Sequence, residues 1–159
     1  MLLDTHTLIW YLSDDPQLPT AVKEKIRTQS LVYVSVAVIW EIAIKGALGK
    51  LELGGQPIQS PQAVREIIDE CVSQRLEILD ISASHAALAP FLKSSHKDPF
   101  DRMLAAQVME LGLPLASADT AFDQLSPGIH RFWTASMEEK TLEPVYKRQP
   151  HKAAKKNIR

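Results

Sequence analysis

Residues 96–119, HKDPFDRMLAAQVMELGLPLASAD, decide the fold of this chain. Asp98 followed by Pro99 is typical of an N-cap and the first position of a helix. Apolar residues then recur at helical spacing, and Gly112 predicts the helix end because glycine tolerates the left-handed conformation required there. The apolar run LPLA that follows predicts a strand ending just before Asp119. The stretch therefore predicts a helix that begins with two acids and a strand that ends near a third.

Segments with strand and helix patterns alternate along the rest of the chain. Strands are predicted at residues 1–3, 31–35, 76–81, 113–116 and 129–132. Helices are predicted at residues 5–12, 19–28, 36–45, 61–75, 83–93, 99–111 and 120–125, with a loop at 54–57. This alternation predicts a parallel sheet with helices on both faces, a three-layer α/β/α sandwich. In such folds, ligands bind outside the carboxyl ends of the strands.

The composition fits one soluble domain. Of the 159 residues, 45% are hydrophobic and 23% charged, which is ordinary for a globular protein. A single cysteine, Cys71, excludes an intrachain disulfide and a cysteine-rich metal site, and it suits a reducing compartment. Asp4 and His6 interrupt any signal-peptide pattern, and no apolar run approaches the ~20 residues of a membrane span. We therefore expect a cytoplasmic protein without a membrane segment.

Charge divides the chain unevenly. Residues 1–143 carry 19 acidic and 12 basic side chains, a net charge of −7, whereas residues 144–159 carry six basic and no acidic ones. After Trp133 the apolar pattern also stops. We therefore divide the chain into a domain at residues 1–133 and a basic tail at 134–159 that is predicted to be flexible. The tail is expected to attract nucleic-acid phosphates without reading sequence.

Two acids near the beginning of the chain are candidate functional groups. Asp4 follows the first predicted strand, where it fits either an N-cap or a metal ligand. Glu41 lies within VAVIWEIAIKG, where an unpaired carboxylate would be costly to bury. Either a helical ion pair with Lys45 or a divalent cation would explain Glu41. The pair alone is a weak explanation, because such pairs contribute only about 0.2–0.5 kcal/mol.

Further acids are predicted at the same edge of the sheet. Each has an ordinary explanation as a cap or surface pair: Asp98, Asp101 beside Arg102, Asp119 and Asp123. Asp4 and Asp119 follow strands, and Glu41 and Asp101 lie near the starts of helices, so all four positions are expected on one edge of a parallel sheet. Separate explanations as caps or surface pairs do not account for this coincidence. A cation such as Mg²⁺ or Mn²⁺ would relieve the repulsion within that cluster. Its members are Asp4, Glu41, Asp101 and Asp119.

Four segments of the chain resemble the PIN-domain nucleases, specifically the VapC-type toxins of bacterial toxin–antitoxin modules. They are LLDTHTLIWYL (2–12), SVAVIWEIAIKGALGKL (35–51), HKDPFDRMLAAQ (96–107) and LASAD (115–119). Any one of them is a weak signal, but together they span residue 1 to about 133 in the family's order. The resemblance implies a PIN-like α/β/α sandwich and Mg²⁺- or Mn²⁺-dependent ribonuclease activity. The segment after Trp133 departs from the family core.

The resemblance also implies which residues form the site. The family's acidic positions fall on Asp4, Glu41, Asp101 and Asp119, as catalytic metal ligands. Asp123 and Asp98 are further candidate ligands, and Ser117, Lys45 and Arg102 are candidate supporting residues. For Lys45 and Arg102, contact with phosphate and ordinary pairing with acids remain alternatives. His6 and His96 also match, and we expect hydrogen-bonded imidazoles rather than ligands, because a carboxylate site for Mg²⁺ rarely needs nitrogen.

The resulting hypothesis is an endoribonuclease that hydrolyses RNA with a metal-activated water and acts as the toxin of a toxin–antitoxin pair. The resemblance further implies a small antitoxin partner and a homodimer. One alternative is a non-catalytic PIN-like module that binds nucleic acid or protein. Another is a phosphatase with Asp4 as nucleophile, although that chemistry usually requires an acid at position 6, which is histidine here.

Large apolar residues suggest where a protein partner would bind. Trp10 and Tyr11 lie in one short predicted helix, and two large aromatic side chains exceed what one helix face can bury. With Leu48 and Leu51 they are candidate contacts to another chain. Burial of Trp10 in the core is the alternative.

Overall fold

The computed structural model describes residues 1–93, 96–125 and 129–133. Its strands are β1 (Leu2–Leu3), β2 (Tyr33–Ser35), β3 (Glu52–Leu53), β4 (Gln56–Pro57), β5 (Glu77–Leu79), β6 (Leu115–Ala116) and β7 (Arg131–Phe132). Its helices are α1 (Thr5–Leu12), α2 (Thr20–Thr28), α3 (Val36–Ala47), α4 (Pro61–Ser73), α5 (Ala83–Leu88), α6 (Pro99–Leu111) and α7 (Phe122–Leu125), with a 3₁₀ turn at Ala89–Phe91. The predicted tail at 134–159 lies outside the described residues.

A five-stranded parallel sheet forms the centre of the molecule, in the order β5-β2-β1-β6-β7. Helices flank it, so the predicted α/β/α sandwich is confirmed. β1 is only two residues long, but Leu2 and Leu3 are fully buried and paired on both sides. Burial on both faces explains why β1 and its neighbour β6 are apolar without alternation.

The strand order changes direction beside β1. The chain builds β2 and β5 on one side of β1 and then returns to place β6 on the other side. The register pairs Leu3 with Ala116, so that Asp4 and Ser117 leave neighbouring strands side by side. The carboxyl edge at such a reversal is where open α/β sheets bind ligands.

Polar side chains cap the beginnings of five helices. Five residues accept a hydrogen bond from the first turn of their helix: Asp4, Ser35, Ser60, Ser82 and Asp98. Each satisfies a backbone N–H that has no partner inside the helix. Gly112 adopts φ 65° at the end of α6, as the glycine predicted. The caps hold the edge in register because they fix where each helix begins.

Three predicted boundaries were wrong. The helix predicted to residue 93 ends at Leu88 and continues as a 3₁₀ turn, because Pro90 has no N–H to extend the α-helical ladder. The predicted loop at 54–57 contains half of an antiparallel hairpin, in which Gly54 and Gly55 both have positive φ. Such angles are typical of a tight hairpin turn. The last helix begins at Phe122 rather than at residue 120.

The proposed partner contacts on α1 are mostly internal. Trp10 and Tyr11 are half-buried against the core, and the Trp10 ring contacts Trp133 with ring centroids 5.8 Å apart. Leu51 is likewise half-buried, whereas Leu48 is 62% exposed. The core alternative is therefore correct for most of α1. Within the described ranges, no helix is long and apolar enough to cross a bilayer.

Candidate active site

Asp4 lies at the end of β1 with both carboxylate oxygens engaged. Oδ1 accepts from the Thr7 backbone N–H at 2.6 Å and caps α1, and Oδ2 accepts from the Ser117 hydroxyl. The residue is only 5% exposed. Burial raises the pKa of Asp4 above its ordinary value, while the hydrogen bonds from Ser117 and Thr7 oppose the rise. Asp4 is thus an N-cap, as one of the two alternatives predicted. Its hydrogen bond with Ser117 also connects it to the end of β6.

Glu41 is a buried acid that connects α3 with α1. Its Oε1 lies 2.5 Å from the Lys45 ammonium, and its Oε2 accepts a hydrogen bond from the Thr5 hydroxyl. The side chain of Glu41 is only 7% exposed, whereas that of Lys45 is 36% exposed. The helical ion pair is therefore present. Because Thr5 directly follows Asp4, its hydroxyl also brings Glu41 to the end of β1.

Asp101 occupies the first turn of α6, beside a histidine. Its Oδ2 lies 2.5 Å from His96 Nε2. Burial raises the pKa of Asp101 to about 6, the His96 hydrogen bond opposes the rise, and the charges of Asp98 and Glu41 add to it. Because the charge of Glu41 contributes to this rise in pKa, Glu41 and Asp101 are close enough to interact electrostatically. His96 bonds to an acid of the site, which agrees with the expected role for an imidazole there.

Asp119 lies shortly after β6, the strand that pairs with β1. Its backbone N–H donates to the Ser117 hydroxyl oxygen at 3.0 Å, and its Oδ1 accepts from the Ala121 N–H at 2.7 Å. Ser117 therefore receives one hydrogen bond from Asp119 and donates another to Asp4. This places Ser117 in the supporting role predicted for it.

The four candidate acids are each engaged with protein groups. Carboxylate oxygens and a serine hydroxyl are donors that suit Mg²⁺ or Mn²⁺ in chemistry. As the side chains stand, the described residues contain no group of three or more His, Cys, Asp or Glu arranged to hold a metal ion. Glu41 is turned to Lys45 and Asp101 to His96. The donor set fits such an ion, and ligation would require these two acids to leave their present partners.

Two candidate residues have other roles in the structure. Both oxygens of Asp123 accept from the buried Arg131 guanidinium, at 2.8 and 2.9 Å, and this bond holds the pKa of Asp123 below its usual range. Asp123 is thus half of a salt bridge, and its role as a further ligand stays a prediction. Arg102 is also engaged with protein groups. Its guanidinium donates to four backbone carbonyls between Ala89 and His96, so it fixes this segment on α6.

The remaining candidates lie near the site without completing it. Asp98 Oδ1 accepts from the N–H groups of Phe100 and Asp101, at 2.8 and 3.3 Å, as expected of a cap. His6 is exposed, and its ring contacts Trp10 with centroids 5.8 Å apart. Neither residue is arranged as a ligand.

Three supporting residues were missed by the sequence reasoning. Thr5 donates its hydroxyl to Glu41. Thr7 donates its backbone N–H to Asp4 and its hydroxyl to the Ala116 carbonyl, the latter at 3.0 Å. Arg131 donates to the Ser117 carbonyl at 3.1 Å. The polar pattern T-H-T directly after Asp4 was the signal for the two threonines. Arg131 gave no local signal, because it reaches the site from a different strand.

Comparison with known proteins identifies the family. A family model described as the PIN domain matches residues 1–126, about four-fifths of the chain. The chain belongs to the PIN domain family. The resemblance seen in the sequence is thereby confirmed, and the acids lie at the carboxyl edge of a PIN domain.

Solved structures share this fold at low sequence identity. One is VapBC2 from Rickettsia felis bound to a DNA fragment from their promoter, with 18% identity, a TM-score of 0.60, and 82% of this chain and 96% of that chain covered. Another is DNA-bound VapBC from Salmonella typhimurium, with 21% identity, a TM-score of 0.61, and coverage of 84% and 97%. No curated protein matches the sequence.

Proposed function

We propose that this PIN domain is a Mg²⁺- or Mn²⁺-dependent endoribonuclease and the toxin of a VapC-type toxin–antitoxin pair. The observation that carries the proposal is a pair of hydrogen-bonded links at the end of β1: Ser117 connects Asp4 with Asp119, and Thr5, next to Asp4, binds Glu41. Asp4 and Glu41 are buried. Desolvation of the carboxylates raises the pKa of Asp4 and of Asp101. Perturbed acids that meet in this way are typical of functional sites.

Each residue has a defined part in this proposal. The four acids would hold the ion, which when bound supplies a water of lowered pKa and positive charge for the phosphodiester. Ser117 positions Asp4 through its hydroxyl. Lys45, once Glu41 turns away from it, offers its ammonium to an RNA phosphate. His96 orients Asp101 through the hydrogen bond at its Nε2.

The partners follow from the family and its neighbours. Structural neighbours are described as VapBC complexes, which supports a small antitoxin as the regulator of this chain. The homodimer rests on the resemblance. A cytoplasmic location is part of the same proposal, since RNA, antitoxin and Mg²⁺ would meet the protein there.

The test is cleavage of single-stranded RNA by the full chain with Mg²⁺ or with EDTA, followed by sequencing of the ends. We expect metal-dependent cleavage that leaves 5′-phosphate and 3′-hydroxyl ends. Asp4→Asn and Asp101→Asn should abolish it. Asp69→Asn, the same change on the exposed face of α4, is the control and should leave it intact. Full activity of both site variants would contradict the proposed site.

The engagement of Glu41 with Lys45 and of Asp101 with His96 favours one second candidate. If these pairs persist in the presence of Mg²⁺, the chain is a non-catalytic module that binds nucleic acid or protein. RNA binding without cleavage in the same assay would identify that case.

A further inference from the structure

Helix α3 exposes a line of large apolar side chains. Val36, Trp40, Ile44 and Leu48 are 36%, 59%, 37% and 62% exposed, and they recur every four residues, which places them on one face of the helix. Trp40 has the largest side chain of the four. An exposed tryptophan is unusual enough on a soluble protein to indicate a binding surface.

The position of Trp40 connects it to the candidate active site. Its ring packs edge-on against Phe100, with centroids 5.3 Å apart and planes at 77°. Trp40 directly precedes Glu41 and Phe100 directly precedes Asp101. The two rings therefore link α3 and α6 beside two of the four acids, and Phe100 restricts the orientation of the exposed indole.

We propose that Trp40, held by Phe100, is a stacking platform for an unpaired base of the substrate RNA next to the cleaved phosphate. This inference rests on the proposed ribonuclease function. Unpaired bases in RNA are commonly recognised by stacking on aromatic side chains. Such stacking accepts any base, because every base has a π-face. Trp40 would bind and orient RNA without taking part in the chemistry.

The position of Trp40 next to two proposed catalytic acids favours RNA over an apolar protein partner, and two lysines add positive charge beside the exposed Asp98. Lys45 extends a partly exposed ammonium from the same helix, and Lys97 is exposed just before the first turn of α6. Cations beside an aromatic ring are the combination that binds single-stranded nucleic acid. A partner helix would instead need the whole apolar line, including Leu48, about 12 Å further along α3 at 1.5 Å per residue.

The test compares Trp40→Ala, Trp40→Phe and the matched control Leu48→Ala in the full chain. Binding is measured by anisotropy of a fluorescent, unstructured RNA in the Asp101→Asn background, and cleavage kinetics in the wild-type background. We expect Trp40→Ala to weaken RNA binding by about five- to a hundredfold, as found for loss of one stacked base. The KM should rise while kcat changes little. Trp40→Phe should recover most of the affinity, and Leu48→Ala should bind like the parent.

Other outcomes separate the competing explanations. If Trp40→Ala and Leu48→Ala both alter sedimentation while RNA affinity stays unchanged, the line is a protein interface and the stacking proposal is overturned. If the wild-type protein cleaves RNA and Trp40→Ala has an unchanged KM, the stacking proposal fails while the ribonuclease function stands. If the wild-type protein neither binds nor cleaves RNA, both fail. Circular dichroism of each variant checks that it is folded.

Discussion

Asp101→Asn should stabilise the metal-free protein at neutral and alkaline pH. The pKa of Asp101 is raised in the folded protein to about 6 from an ordinary 3.8, so folding favours the protonated carboxyl. The stability associated with this group is fully present below pH 3.8 and is lost as the pH rises through 6. A shift of about two units corresponds to about 3 kcal/mol at pH 8. The neutral amide avoids that cost and can still bond to His96.

Urea unfolding in EDTA at pH 8, 6 and 4 measures this effect. We expect the variant to exceed the wild type by about 2–3 kcal/mol at pH 8, equivalent to roughly 5–10 °C in Tm for a domain of this size. The difference should shrink to below about 1 kcal/mol at pH 4, where Asp101 is largely protonated in the folded state. Asp69→Asn on exposed α4 controls for the general effect of removing one negative charge. A variant that is no more stable than the wild type at pH 8, or a difference independent of pH, would refute the reasoning.

Three further predictions address packing, the site and the tail. Gly46→Ala should destabilise the fold by about 1–3 kcal/mol in urea unfolding, because a Cβ there would collide with the Ile58 carbonyl; a stabilised variant would contradict this close approach. Arg131→Met should cost about 1–3 kcal/mol and reduce cleavage, because Arg131 bonds to both Asp123 and the Ser117 carbonyl; an unchanged midpoint would show that these bonds of Arg131 contribute nothing. Deleting residues 144–159, which carry six basic side chains, should flatten the salt dependence of RNA affinity; an unchanged slope means that the tail does not touch RNA.

Elements with local signals were predictable from the sequence. The cap-and-proline pair Asp98-Pro99 and the terminal Gly112 determine both ends of α6 through the chemistry of a few adjacent residues. The same is true of α4, which begins at Pro61 after its Ser60 cap. Pro90 and Gly54-Gly55 were equally local signals, for the early end of α5 and for the hairpin, and both were passed over. These errors therefore came from the interpretation rather than from long-range packing.

The partners of the acids could not be predicted in the same way. Ser117 and Asp4 are 113 residues apart in sequence, and Thr5 and Glu41 are 36 apart. Only the order of strands and their register brings these hydroxyls to these carboxylates. The sequence reasoning located the edge at which acids would meet, because parallel strands end together. Apart from the Glu41–Lys45 pair within one helix, it left open which side chain each acid would contact there.

The partners of the four acids indicate that stability alone does not explain the site. Lys45 offsets the charge of Glu41 and His96 bonds to Asp101, whereas Asp4 and Asp119 accept bonds from hydroxyl and backbone N–H groups. Burial raises the pKa of Asp4 and of Asp101, and for Asp101 the charges of Asp98 and Glu41 add to the rise. Apolar residues at such buried positions would often be as stable or more stable. Acids kept where they cost stability are expected when a ligand supplies the missing positive charge, and a divalent ion with an RNA phosphate fits that requirement.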